Sequence, residues 1–64
     1  MELYQLRQFA AVAKYENMTR AAESLNVAQP AVSRTIRNLE SELGAELFER
    51  TGKGLRRTEQ GDIL

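Results

Sequence analysis

Pro30, Ser33, Arg34 and Arg37 recur at helical spacing. At about 100° per residue they gather on one side of a helix, well away from the stripe made by Val32, Ile36, Leu39 and Leu43. That side offers a hydroxyl and two guanidinium groups and carries no acid. It opens at the helix N-terminus, where backbone N–H groups without intrahelical partners already favour an anion. The chemistry within reach is recognition of a polyanion by hydrogen bonds and cations. Bond-making chemistry finds no support: the chain has no histidine or cysteine, and its one aspartate, Asp62, stands near the end. General acid–base or nucleophilic catalysis therefore lacks a constellation, and the chain reads as a non-enzyme. The same absences remove a disulfide framework and the usual zinc ligands.

Three helices are expected to position that face. Leu3, Leu6, Phe9, Ala10 and Ala13 repeat at three- and four-residue steps, predicting an amphipathic helix from Leu3 to about Tyr15 with Gln5, Arg7, Gln8 and Lys14 toward water. Asn17 is suited to cap the next helix by accepting from the N–H of Thr19 or Arg20, with Thr19 as the alternative cap. This second helix runs to about Leu25, with Met18, Ala21, Ala22 and Leu25 on one face, and its paired alanines allow a close crossing. Asn26 takes the left-handed conformation that ends it, and Val27 plugs the turn from beneath. The third helix spans about residues 30–43, with Pro30 in its first turn and Gly44 as its stop. A short helix leading by a tight turn into a longer, differently faced one is the plan of a helix-turn-helix that reads duplex DNA.

The net charge is zero over 64 residues, but the distribution is segregated. Residues 17–39 carry Arg20, Arg34 and Arg37 against Glu23; residues 40–49 carry Glu40, Glu42, Glu46 and Glu49; residues 50–58 carry Arg50, Lys53, Arg56 and Arg57. Two basic segments around an acidic one imply one surface for phosphate and another that is not. After Gly44, Ala45–Glu49 and Leu55–Thr58 are expected to be short strands around the loop Arg50-Thr51-Gly52-Lys53-Gly54, forming a wing with a cation at its tip. The Gly-Lys-Gly there lacks the spacing of a phosphate-cradling loop. Thr58 then caps a last helix starting at Glu59, which breaks off at Leu64. The longest apolar run is too short to span a bilayer, and the Met1-Glu2-Leu3 start is unlike a signal peptide.

Ala21-Ala22, Leu25, Val27, Gln29-Pro30-Ala31, Ser33, Leu39-Glu40, Leu43-Gly44, Leu47-Phe48-Glu49-Arg50 and Thr58-Glu59-x-Gly61 stand in an order and spacing that resembles the N-terminal DNA-binding domain of LysR-type bacterial transcriptional regulators. The resemblance covers essentially the whole chain. It implies a mostly α fold, a winged helix-turn-helix over residues 1–58, and the start of a truncated linker and dimerisation helix over residues 59–64. It further implies a homodimer or tetramer in the full-length protein on an inverted-repeat operator. No cofactor is expected in this domain; a small-molecule effector would bind a C-terminal domain beyond it. The location implied is cytoplasmic, at the bacterial nucleoid, with no membrane partner. Ala28 departs from the serine common in the family, Met18 from a phenylalanine, and Arg57 from an aliphatic residue in the wing.

With that frame, Gln29, Ser33 and Arg34 are the expected base-edge contacts. Glutamine pairs with adenine, arginine with guanine, and serine with either a base or a phosphate. Pro30 and Ala31 offer apolar contact to a thymine methyl. Thr19, Arg37, Arg50 and Lys53 are the expected phosphate contacts, which fix register without reading sequence. Two rival readings are a winged helix serving only as a protein-interaction module, supported by the acidic residues 40–49, and an enzyme, for which no catalytic constellation is present; RNA binding is weaker still, for want of an aromatic pair on an exposed sheet for stacking.

Overall fold

The structure is a computed structural model that describes residues 2–52 and 54–63. Among these residues, four helices and a two-stranded antiparallel hairpin follow in the order α1 (Leu3–Tyr15), α2 (Met18–Leu25), α3 (Gln29–Leu43), β1 (Phe48–Thr51), β2 (Gly54–Arg57) and α4 (Glu59–Ile63). This is a winged helix-turn-helix. No helix among the described residues is long and apolar enough to cross a membrane.

Local chemistry accounts for the helix ends. Asn17 Oδ1 accepts from the Arg20 N–H at 2.9 Å and starts α2. Asn26, at φ 59°, ends it in the left-handed region. Gly44 ends α3 at φ 66°, a conformation that costs glycine nothing. Thr58 Oγ1 accepts from the Gly61 N–H at 3.2 Å, capping α4. Pro30 lies in the first turn of α3, and Ala28 before it supplies no side-chain cap.

The three long helices close on one core. Phe9, Ala11 and Val12 from α1 meet Ala21 and Ala22 from α2 and Val32, Ile36 and Leu39 from α3. Leu47 and Phe48 cover the far side, and the Phe9 and Phe48 rings lie 5.4 Å apart, tilted by 45°. Met18, Leu25, Ala13 and Leu55 pack half-buried against this cluster.

Several expectations are corrected. In α1 the buried face is Gln8, Phe9, Ala11 and Val12; of the expected stripe, Leu3 is 67% exposed and Leu6 and Ala10 also face outward. The helix carries two overlapping apolar stripes, and contact with α2, α3 and Phe48 selects the one centred on Val12, turned by roughly a third of a turn from the other. Gln8 is consequently buried, with no hydrogen-bond partner for its Oε1 among the described residues. Val27 and Leu43, expected inside, are 39% and 40% exposed. Val27 follows the chain out of the turn, and Leu43 lies in the last turn of α3, past the reach of α1 and α2.

The wing is also shifted. Its ladder pairs Phe48 with Arg57, Glu49 with Arg56, Arg50 with Leu55 and Thr51 with Gly54. Arg50, Thr51 and Gly54 are strand residues rather than loop, and Ala45–Leu47 is not strand. The reason is that the Leu47 N–H donates to the Glu40 carboxylate at 2.8 Å, so pairing begins only at Phe48. Lys53 lies outside the described residues. The hairpin then returns against the body: Thr58 N–H donates to Leu47 O at 2.9 Å, Thr58 Oγ1 donates to Glu46 O, and Gly61 is buried so tightly that a Cβ there would run into the Leu47 carbonyl.

Candidate nucleic-acid interface

The N-terminal half of α3 stands with its polar side outward because Val32, Thr35, Ile36 and Leu39 face the core. Thr35 is a buried position that the apolar stripe alone did not mark. Pro30, Ala31 and Arg34 are exposed, whereas Gln29 and Ser33 are half-buried. Gln29 Nε2 donates to Ser33 Oγ at 2.8 Å, one turn along the helix. That bond orders the glutamine amide while leaving its oxygen and a second N–H available. An amide presenting an acceptor beside a donor matches the major-groove edge of adenine.

Two adjoining clefts flank this surface. The first, of about 330 Å³, lies between the start of α2, the start of α3 and the wing, and brings Thr19, Gln29 and Arg50 together. The second, about 240 Å³, lies between α3 and β1 and is lined by Ser33, Arg37 and Arg50. Met18 and Leu55 line both, forming an apolar floor between polar walls. Five of the sequence-expected residues, from the three elements α2, α3 and β1, thus converge on one side of the molecule. Pro30, Ala31 and Arg34 flank the clefts on the exposed ridge of α3 and do not line them. Lys53 lies outside the described residues.

The convergence has a local cause at each corner. Asn17 caps α2, so Thr19 falls in its first turn, at the rim of the first cleft. Strand alternation puts Arg50 on the side of β1 shared with Phe48, whose ring enters the core; Arg50, one pleat further out, is directed toward α3. Arg37, two turns along α3 from Pro30, reaches the same cleft from the opposite wall.

The clefts also hold residues that sequence reasoning did not assign to the site, Asn17, Thr51, Met18 and Leu55 among them. Asn17 serves both as a cap and as a wall of the first cleft, and Thr51 joins it there, its Oγ1 donating to Gly54 O at 3.0 Å. Met18 and Leu55 make the floor. Only for Thr51 was a signal present, as a hydroxyl beside Arg50; the floor depends on how the wing docks. A third recess at the α1–α2 elbow brings Arg20 and Arg56 together beside Glu16. Of the acidic residues 40–49, Glu40 turns inward to the wing while Glu42, Glu46 and Glu49 are exposed. Among the described residues, no group of three or more histidine, cysteine, aspartate or glutamate side chains is placed to hold a metal.

Comparison with known proteins gives a consistent picture. The family described as bacterial regulatory helix-turn-helix protein, lysR family, matches residues 3–62. The chain is 54% identical over 61 residues to the RuBisCO operon transcriptional regulator of Allochromatium vinosum, covering 95% of this chain and 20% of that one. It is 48% identical over 64 residues to the HTH-type transcriptional regulator BenM of Acinetobacter baylyi, covering all of this chain and 21% of that protein. The chain therefore spans about a fifth of the length of these two relatives. Among solved structures, a complex of the BenM DNA-binding domain with catB site 1 DNA superposes with a TM-score of 0.93 at 46% identity, covering 98% of this chain and 71% of that one. The corresponding CbnR complex with DNA gives 0.92 at 43% identity, covering 98% and 72%.

Proposed function

This chain belongs to the lysR family of bacterial regulatory helix-turn-helix proteins, and from that premise we propose that it binds duplex DNA sequence-specifically, as the DNA-binding domain of a transcriptional regulator. In this reading α3 lies in the major groove. Gln29, Ser33 and Arg34 address base edges, with Pro30 and Ala31 against thymine methyl groups. Thr19, Arg37 and Arg50 hold phosphates on either side, and Lys53 joins them from the wing tip on the strength of its charge and place in the sequence. The observation that carries the reading is the convergence of Thr19, Gln29, Ser33, Arg37 and Arg50 on two adjoining clefts around one outward helix face. Solved relatives of the same fold in complex with DNA support it.

The rest of the protein follows the family. Residues 1–58 form the DNA-binding unit and residues 59–64 begin a linker helix. The full-length regulator is a cytoplasmic homodimer or tetramer on an inverted repeat, with two recognition helices about 34 Å, one duplex turn, or a multiple apart. Its small-molecule effector binds a C-terminal domain, and this domain itself needs no cofactor. Selection from random duplexes at low salt, followed by anisotropy titration on the selected site and single-base variants, tests the proposal. A reproducible inverted-repeat preference is expected. Equal affinity for every duplex, or none for any, contradicts it.

A further inference from the structure

The cleft that Arg37 and Arg50 share also contains an acid, Glu40. A carboxylate there opposes any phosphate the two arginines would hold, so its presence needs a reason. Its Oε2 accepts from two backbone donors at the root of β1, the Leu47 N–H at 2.8 Å and the Phe48 N–H at 3.3 Å. On the other edge of the hairpin, Glu16 Oε2 accepts from the Arg57 N–H at 3.3 Å. Phe48 and Arg57 are partners in the ladder. The N–H groups of this first rung therefore both donate to carboxylates, one fixed to α3 and the other to the elbow between α1 and α2. Glu16 does so from a positive φ of 49°, disfavoured for a residue with a Cβ.

We propose that Glu40 and Glu16 are positioning residues of the DNA interface, setting the angle of the wing over α3. The inference rests on the DNA-binding reading above. Arg50 lies two residues beyond Phe48 on the same strand face. Rotation of the hairpin about its root would carry Arg50 away from Arg37 and Ser33 without disturbing α3. The two ties prevent that rotation. Glu40 is tolerated in a basic cleft because its oxygen is engaged by backbone donors and partly screened from an incoming phosphate.

The test has a DNA-free arm and a DNA arm. Amide hydrogen exchange at Leu47 and Phe48 should accelerate in Glu40→Ala and stay near wild type in Glu40→Gln, whose carbonyl oxygen still accepts. In salt titrations on the selected duplex, Glu40→Ala should lower the salt slope by about one unit, the loss of one phosphate contact, as Arg50→Ala does. Adding Arg50→Ala to Glu40→Ala should lower it no further, and Glu40→Gln should restore the wild-type slope. Additive losses, or a Glu40→Gln slope as low as that of Glu40→Ala, would overturn the proposal. Should Glu40→Ala fail to fold, Glu16→Gly removes the other tie while relaxing the positive φ; it must then show the same slope loss, and an unchanged slope overturns the proposal. A wild-type chain without salt-dependent duplex binding sinks the DNA reading and this inference with it. Wild-type binding with folded Glu40→Ala unchanged sinks the inference alone.

Discussion

Where α2 meets the helical body, contact is made by Ala21 and Ala22, both buried, against Val12, Val32 and the neighbouring apolar side chains. Where the wing meets α3, Phe48 is buried in the same core as Ile36 and Leu39, but the strand beyond it is oriented by a carboxylate that accepts from two backbone N–H groups, over a half-buried floor of Met18 and Leu55. The first junction excludes water and is set by volume. The second is set by hydrogen-bond geometry and leaves Arg37, Arg50 and Ser33 half-buried or exposed around it. The contrast teaches that stability and recognition are carried by different residues here. Side chains that must meet a phosphate or a base cannot also be closed into a core, so the element bearing them is fixed by directional polar ties.

That separation can be broken or sharpened by substitution. The largest effect is expected at Leu39, fully buried in the middle of α3. Leu39→Ala should destabilise the fold by about 2–5 kcal/mol, a large fraction of what a small domain has, and urea unfolding reads it. Ala22→Leu comes next. Overpacking the close crossing should cost about 1–3 kcal/mol, with DNA affinity lost only in proportion to the unfolded fraction. An unchanged melting temperature would show that the crossing is not volume-limited.

Asn17 stands at the border between the two regions, because it caps α2 and lines the first cleft. Asn17→Ala should lose about 0.5–2 kcal/mol of stability, whereas Asn17→Ser should keep most of it. Chemical denaturation of the two variants side by side separates the cap from general packing. Arg50→Ala is the smallest perturbation of the fold. As an exposed substitution it should leave stability within about 0.5 kcal/mol, while weakening binding to all duplexes alike and lowering the salt slope by about one unit. A drop in melting temperature comparable to that of Ala22→Leu would dissolve the distinction between the regions.

What was legible in the sequence follows the same division. Asn17, Asn26, Gly44 and Thr58 announce helix ends through chemistry confined to a few neighbouring residues, and each does what its type predicts. The outward face of α3 was also readable, because Val32, Ile36 and Leu39 leave only one side for Ser33, Arg34 and Arg37. The buried face of α1 was not, since Leu3, Leu6 and Ala10 compete with Ala11 and Val12 and only the partners decide. Nor was the register of the wing, which depends on Glu40 reaching Leu47 and Phe48 from the preceding helix. Read as part of an acidic run, Glu40 gave no hint of that role. The pairing of Thr19 with Arg50 across one cleft likewise required the fold, because no periodicity links residues so far apart in sequence.

Arg34 and Arg50 put the central claim to its most direct test, one on the exposed ridge of α3 and the other on the wing. Each arginine is replaced by alanine, and binding is titrated on the selected site and on a duplex differing at one base pair per half-site, across a range of salt. Loss of Arg34 should cost about 1–3 kcal/mol on the selected site and erase the preference at one position, because a guanidinium fork on a base edge has been removed. Loss of Arg50 should weaken both duplexes equally. If Arg34→Ala keeps full discrimination while Arg50→Ala abolishes it, the wing is the reader, and the assignment of recognition to α3 is wrong.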